Sequence, residues 1–98
     1  MPSRPIEFHP SALAETQAAY DWYHERSPSA AMGLFGELDH AMEQIGKAPE
    51  RWPSFLHGTR RFVLHRFPFS VVYRITEAAI QIVALAHARR RPGYWKTR

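Results

Sequence analysis

Between Arg60 and Trp95 the chain reads RRFVLHRFPFSVVYRITEAAIQIVALAHARRRPGYW, where strand-forming residues meet a dense cluster of positive charge. Phe62 and Leu64 alternate with Arg61, Val63 and His65. Phe69, Val71, Tyr73 and Ile75 alternate with Ser70, Val72 and Arg74, and Ile80 and Ile82 alternate with Gln81 and Val83. A period of two places one set of side chains on a buried face and the other on an available one. Pro68 cannot donate a ladder hydrogen bond, so Arg66 to Pro68 reads as a turn, and the short polar Thr76-Glu77-Ala78 reads as the next. The expectation is three antiparallel strands with short loops, followed by a basic tail.

The preceding residues supply the cover. Ile6-Glu7-Phe8 is a short alternating strand that runs into His9-Pro10, where proline suits the first position of a helix. A first helix is expected from there to about Arg26, with Leu13, Ala19, Tyr20 and Tyr23 near helical spacing and Glu15, Asp21 and Glu25 elsewhere on its surface. Ser27-Pro28 repeats the start signal, with a hydroxyl to cap and a proline to follow. In the second helix Ala31, Leu34, Phe35, Leu38, Met42 and Ile45 form one apolar stripe, and Glu37, Asp39 and Glu43 face away from it. Gly46 is the expected stop. A link of one or two residues makes the helices an antiparallel hairpin whose apolar face covers the sheet. Lys47 to Gly58 reads as a loop, pinned by Trp52 and Phe55.

Ninety-eight residues without a repeat or linker are read as one domain, 1–98. No cysteine is present, which removes disulfides, thiolate ligands and cysteine nucleophiles. The first residues do not read as a signal peptide. The most apolar run, Ala78 to Ala86, is far shorter than the ~20 residues a spanning helix needs, so a cytoplasmic protein with no membrane role is expected.

Charge is divided along the chain. Residues 1–50 hold three Lys or Arg against eight Asp or Glu, a net of −5, whereas residues 51–98 hold ten against one, a net of +9. Such polarity draws an anionic partner to the C-terminal half, where five of the last ten residues are basic and Tyr94 and Trp95 stand among them.

Most catalytic patterns are missing. His9, His24, His40, His57, His65 and His87 are widely separated, which argues against a metal site, and no cofactor is expected. Gly33 and Gly36 fall inside a helix pattern and make no phosphate loop; there is no nucleophilic-serine motif. What remains is His87 beside Arg89, Arg90 and Arg91, with Arg61 and Arg74 on strands that bring them near. Arginines can hold a phosphate and a histidine can move protons, but no second acid or base accompanies them, so a contact surface is the favoured reading.

His9-Pro10, Tyr23 with Ser27-Pro28, Phe35 and Leu38, Pro49-Glu50 and Pro53 occur in an order that resembles the RelE/ParE toxin superfamily. Arg60-Arg61, Arg66-Phe67-Pro68-Phe69, Tyr73-Arg74 and Ala86-His87 through Arg90, Pro92 and Tyr94-Trp95 complete the likeness, which favours the ParE-like, plasmid-stabilisation branch. The resemblance implies an α+β, two-layer toxin of β-α-α-β-β-β order: an N-terminal strand beside the last one, and a helical hairpin on a mainly antiparallel four-stranded sheet. It also implies the toxin of a type II toxin–antitoxin pair, held with a cognate antitoxin in a hetero-oligomer. RelE-like members cut messenger RNA on the ribosome and ParE-like members block DNA gyrase. Arg61 keeps a position of the RelE-like catalytic pattern, while Val63 and Ser70 stand where other basic residues would be. A non-enzymatic inhibitor of gyrase is therefore favoured, with an endoribonuclease as alternative and a non-toxic nucleic-acid-binding domain as a further one. His87, Arg89 and Tyr94 are the candidates for any catalysis. Arg61, His65, Arg74, Arg89, Arg90, Arg91, Tyr94 and Trp95 are the expected contacts to target or antitoxin.

Overall fold

A computed structural model describes residues 4–98. Strand β1 (Ile6–Phe8) leads into helices α1 (Pro10–Arg26) and α2 (Pro28–Lys47), and strands β2 (Arg60–Val63), β3 (Phe69–Ile75) and β4 (Ile80–His87) follow. The α+β, two-layer arrangement matches the expectation. The sheet order is β1-β4-β3-β2, and the sheet is mixed: β2, β3 and β4 are antiparallel neighbours, while β1 runs parallel to β4. Two helices lie between β1 and the rest of the sheet, long enough a crossover for a parallel pairing.

Both helices start where the sequence says they do. The His9 ring caps α1 by accepting from the Ser11 backbone N–H at Nδ1, 3.1 Å, and Pro10 occupies the first turn. Ser27 serves both helices: its N–H donates to Tyr23 O, ending α1, and its hydroxyl accepts from Ala30 N, starting α2. One shared residue forces the hairpin. Helix α2 runs one residue past Gly46, because nothing there requires a left-handed backbone, and ends at Lys47 with Ala48 as its cap.

The main core lies between the helices and the sheet. Ala12, Ala19, Leu34, Ala41 and Ile45 pack on Phe62, Leu64, Val71, Tyr73, Ile80 and Ile82. Small residues at three of these helical positions let the backbones approach the strands closely. The α2 stripe is narrower than expected: Leu38 is only half-buried and Phe35 is 59% exposed. Glu37 does not face away. Its carboxylate accepts from the backbone N–H groups of His65 and Arg66 and from Arg66 Nε, holding the β2–β3 turn against α2. Trp52 packs on Phe62 and Phe55 on Trp95, so both loop aromatics are anchors, as expected.

Alternation fails within β4. Val72 pairs with Ala84 but Tyr73 pairs with Ile82, so β4 carries one extra residue, a bulge at Val83. Beyond it the faces exchange, and Leu85 joins the helix-covered core with Ile80 and Ile82. Val83 and Ala84 instead join a second cluster, with Val72 and Trp95. That cluster is roofed by the C-terminal tail, residues 88–98, which folds back in a series of turns.

Truncating Leu34, which is fully buried, removes contacts on both layers. Leu34→Ala is expected to lower stability by ~2–5 kcal/mol in urea unfolding, and Leu38→Ala by less, because that side chain is only partly buried.

Candidate functional site at the tail and the open edge of β4

Strand β1 ends at Phe8, opposite Ile82, and the His9 N–H closes that ladder on Ile82 O. From Val83 onward that edge of β4 has no neighbouring strand among the described residues. An exposed edge invites unwanted pairing. Two side chains close it here. The Leu85 N–H donates to Glu15 Oε1, 3.1 Å, and Val83 O accepts from Arg98 Nη1, 3.1 Å. Glu15 and Arg98 are themselves joined: Nη1 donates to Oε1 at 2.8 Å and Nη2 to Oε2 at 3.0 Å. This bidentate pair takes the place of a short strand.

Glu15 gathers more than Arg98. Its Oε2 also accepts from the Tyr94 hydroxyl, 2.7 Å, and from Arg90 Nη1, 3.2 Å. The Arg90 guanidinium lies 3.6 Å from the centre of the Tyr94 ring. Three tail side chains thus converge on one carboxylate of α1. Burial, followed by the hydrogen bond to Glu15 and its charge, pushes the Tyr94 phenol up to about 12. The hydrogen bond to Glu15 is also the main reason that the Arg98 guanidinium is held above its usual value. Sequence reasoning placed Glu15 on the outer surface of α1. Its spacing held a signal: it lies three residues after Ala12 and four before Ala19, beside the buried stripe.

The expected contact residues separate into groups. Trp95 is 1% exposed, packed on Val72, Val83 and Ala84 and 5.5 Å from the Phe55 ring, so it is a core residue rather than a surface platform. Tyr94, Arg90 and Arg74 are engaged within the fold; Arg74 Nη1 donates to Gln81 Oε1 and Arg98 O. Arg61 is half-buried, with its guanidinium 4.2 Å from the centre of the Phe55 ring. His65 is exposed in the β2–β3 turn, beside Glu37 rather than in the tail cluster. Arg89 and Arg91 are exposed and form no ion pair among the described residues.

His87 closes β4 on the helix side of the bulge. Its Nδ1 accepts from the Arg89 N–H at 3.0 Å, and the Phe69 ring meets it edge-on at 5.1 Å. In the neutral ring the proton is therefore assigned to Nε2. His87 lines a groove of about 390 Å³ with Leu85 and Phe69 of the sheet and Ala18, Ala19, Trp22 and Tyr23 of α1; Glu15 and Arg90 border the same space. It also lines a cleft of about 70 Å³ with Arg61, Ser70 and Trp95. Among the described residues no cluster of His, Asp and Glu could hold a metal ion, and no helix is long and apolar enough to cross a membrane.

The chain thus combines a helical hairpin on a mixed four-stranded sheet with a basic tail strapped back over the last strand. Residues 6–92 match the family model described as ParE toxin of type II toxin–antitoxin system, parDE. The chain belongs to that family. Toxin ParE2 of Mycobacterium tuberculosis, in strain CDC 1551 / Oshkosh and again in strain ATCC 25618 / H37Rv, is 25% identical over 92 residues, 93% of this chain and 88% of the relative. A solved chain of a chromosomal ParDE TA system from P. aeruginosa shares the fold, with a TM-score of 0.76 at 23% identity over 89% of this chain and 98% of that one.

Removing the hub carboxylate leaves Arg98 and the Leu85 N–H, both largely shielded, without their partner. Glu15→Ala is expected to cost roughly 2–4 kcal/mol in urea unfolding. The raised Tyr94 phenol adds a pH dependence: an unfolded tyrosine ionises near ~10, while the folded one keeps its proton to about 12. The contribution is full below the unfolded value and lost as pH rises through the folded one. Stability should fall between those values in the native protein, and Tyr94→Phe should flatten that fall in alkaline titrations of the unfolding midpoint.

Proposed function

We propose that this ParE-family toxin acts in the cytoplasm as a binding inhibitor, with DNA gyrase as its target and the antitoxin of its pair as its neutralising partner. The observation that carries this reading is the commitment of the Tyr94 hydroxyl of the tail to the fold. Tyr94 keeps its proton to about 12 and gives it to Glu15 as a hydrogen bond, and His87 Nδ1 is occupied by a backbone N–H. A general base needs a value near the working pH and a free lone pair. The exposed Arg89 and Arg91 are instead suited to recognition of an acidic surface. The antitoxin seats an apolar side chain in the groove between α1 and the ends of β3 and β4, whose aromatic and aliphatic walls suit a single large anchor.

A second reading, a ribosome-dependent endoribonuclease, draws on the cleft where Arg61, Ser70 and His87 meet, which has room for one phosphate-sized group. The nucleic-acid-binding alternative is disfavoured, because Trp95 is buried and cannot stack on a base.

Purified toxin added to gyrase in a supercoiling assay is expected to block supercoiling, and equimolar antitoxin to restore it. Ribosome-bound messages incubated with the same preparation should stay intact. Unhindered supercoiling together with cut messages would reverse the order of the two readings.

A further inference from the structure

The tail carries its arginines in two structural states, although all of them lie within the last ten residues. Arg98 is only 16% exposed at its side chain and has both terminal guanidinium nitrogens, Nη1 and Nη2, on Glu15. Arg90 is 52% exposed, yet it sits between the Glu15 carboxylate at 3.2 Å and the face of Tyr94 at 3.6 Å. Arg89 and Arg91 flank Arg90, carry no counter-ion among the described residues, and are anchored only through their backbones. The Arg89 N–H donates to His87 Nδ1, and Arg91 O accepts from the Tyr94 N–H at 3.3 Å. Two free cations are therefore mounted at fixed points on an ordered turn beside the apolar groove that Arg90 borders.

We propose that Glu15 allocates the tail's charge: it commits Arg98 fully and Arg90 in part to the fold, and leaves Arg89 and Arg91 to meet an acidic antitoxin segment whose apolar anchor enters the neighbouring groove. The inference rests on the antitoxin partnership proposed above. Its physical basis is desolvation and competition. A guanidinium already paired with a shielded carboxylate adds little attraction toward an incoming anion, because the pair is nearly neutral from a distance. A cation without a counter-ion contributes its whole field to the encounter and so raises the association rate. Glu15 is a positioning residue in this account: it need not touch the partner, yet it determines which arginines do.

Comparison at equal net charge separates allocation from net charge. Arg89→Gln, Arg91→Gln and Arg51→Gln each remove one positive charge, and Arg51 is an exposed arginine remote in sequence from the tail. In stopped-flow association with the antitoxin at several salt concentrations, Arg89→Gln and Arg91→Gln should each slow binding on the order of threefold to tenfold at low salt and lessen its salt dependence. Arg51→Gln should change it by less than about twofold. Glu15→Gln, which releases two guanidinium groups, should speed association more than Glu25→Gln on the exposed face of α1. A purely structural Glu15 would slow binding when removed. Elution of the same proteins from immobilised polyglutamate reads the ranking without an antitoxin. Equal effects of Arg89, Arg91 and Arg51 on both probes would overturn the allocation. Retained ranking on polyglutamate with no antitoxin binding would overturn the proposed partner and leave the allocation standing. The Arg51 comparison decides the matter even where Glu15→Gln loosens the tail.

Discussion

One carboxylate on the first helix fastens the C-terminal tail of this protein, residues 88–98, to the rest of the fold. Glu15 accepts from a backbone N–H of β4, a phenol and two guanidinium groups. Three of these four donors, Arg90, Tyr94 and Arg98, come from the tail, and the fourth is the Leu85 N–H of β4. A lone acidic residue in a partly dry site would be costly, and two arginines there would repel each other. Together they satisfy one another, and the surplus positive charge is left in the half-exposed Arg90. The tail is thus fastened by electrostatics on one side of β4 and by the buried Trp95 on the other.

The need for that fastening originates in the sheet. Strand β1 is three residues long and covers only the first part of β4. A longer β1 would have closed the edge with backbone hydrogen bonds. Instead, the helix that follows it brings Glu15 alongside, and the tail returns with Arg98. The bulge at Val83 adds to the arrangement by moving Leu85 and His87 to the helix side, where they form the wall of the groove. Fold and candidate interface therefore share residues, and mutations at the tail should rarely affect only one of them.

Much of this architecture was legible in the sequence because it rests on local rules. His9-Pro10 and Ser27-Pro28 mark helix starts through capping and the proline ring, and the period of two in β2 and β3 identifies their buried faces. The bulge was not legible, since Ile82, Val83, Ala84 and Leu85 are all apolar and a run buried on both faces carries no period. Glu15 was misread for a different reason: its partners lie more than 65 residues away, as the Leu85, Arg90, Tyr94 and Arg98 contacts show. Trp95 resembled an exposed aromatic because basic neighbours surround it in sequence, whereas in space it meets Val72, Val83 and Ala84. The family likeness was readable from ordered motifs spread over the chain, and the match over residues 6–92 bears it out.

The central physical claim is that a side-chain carboxylate does the work of a missing strand on the open edge of β4. Native-state hydrogen exchange at the Leu85 amide tests it most directly, because that N–H has Glu15 Oε1 as its acceptor and lies beyond the end of β1. Protection comparable to the amides of the β3–β4 ladder, lost only with global unfolding, is the predicted result. Exchange as fast as that of a free strand edge, while the β3–β4 amides stay protected, would contradict the account.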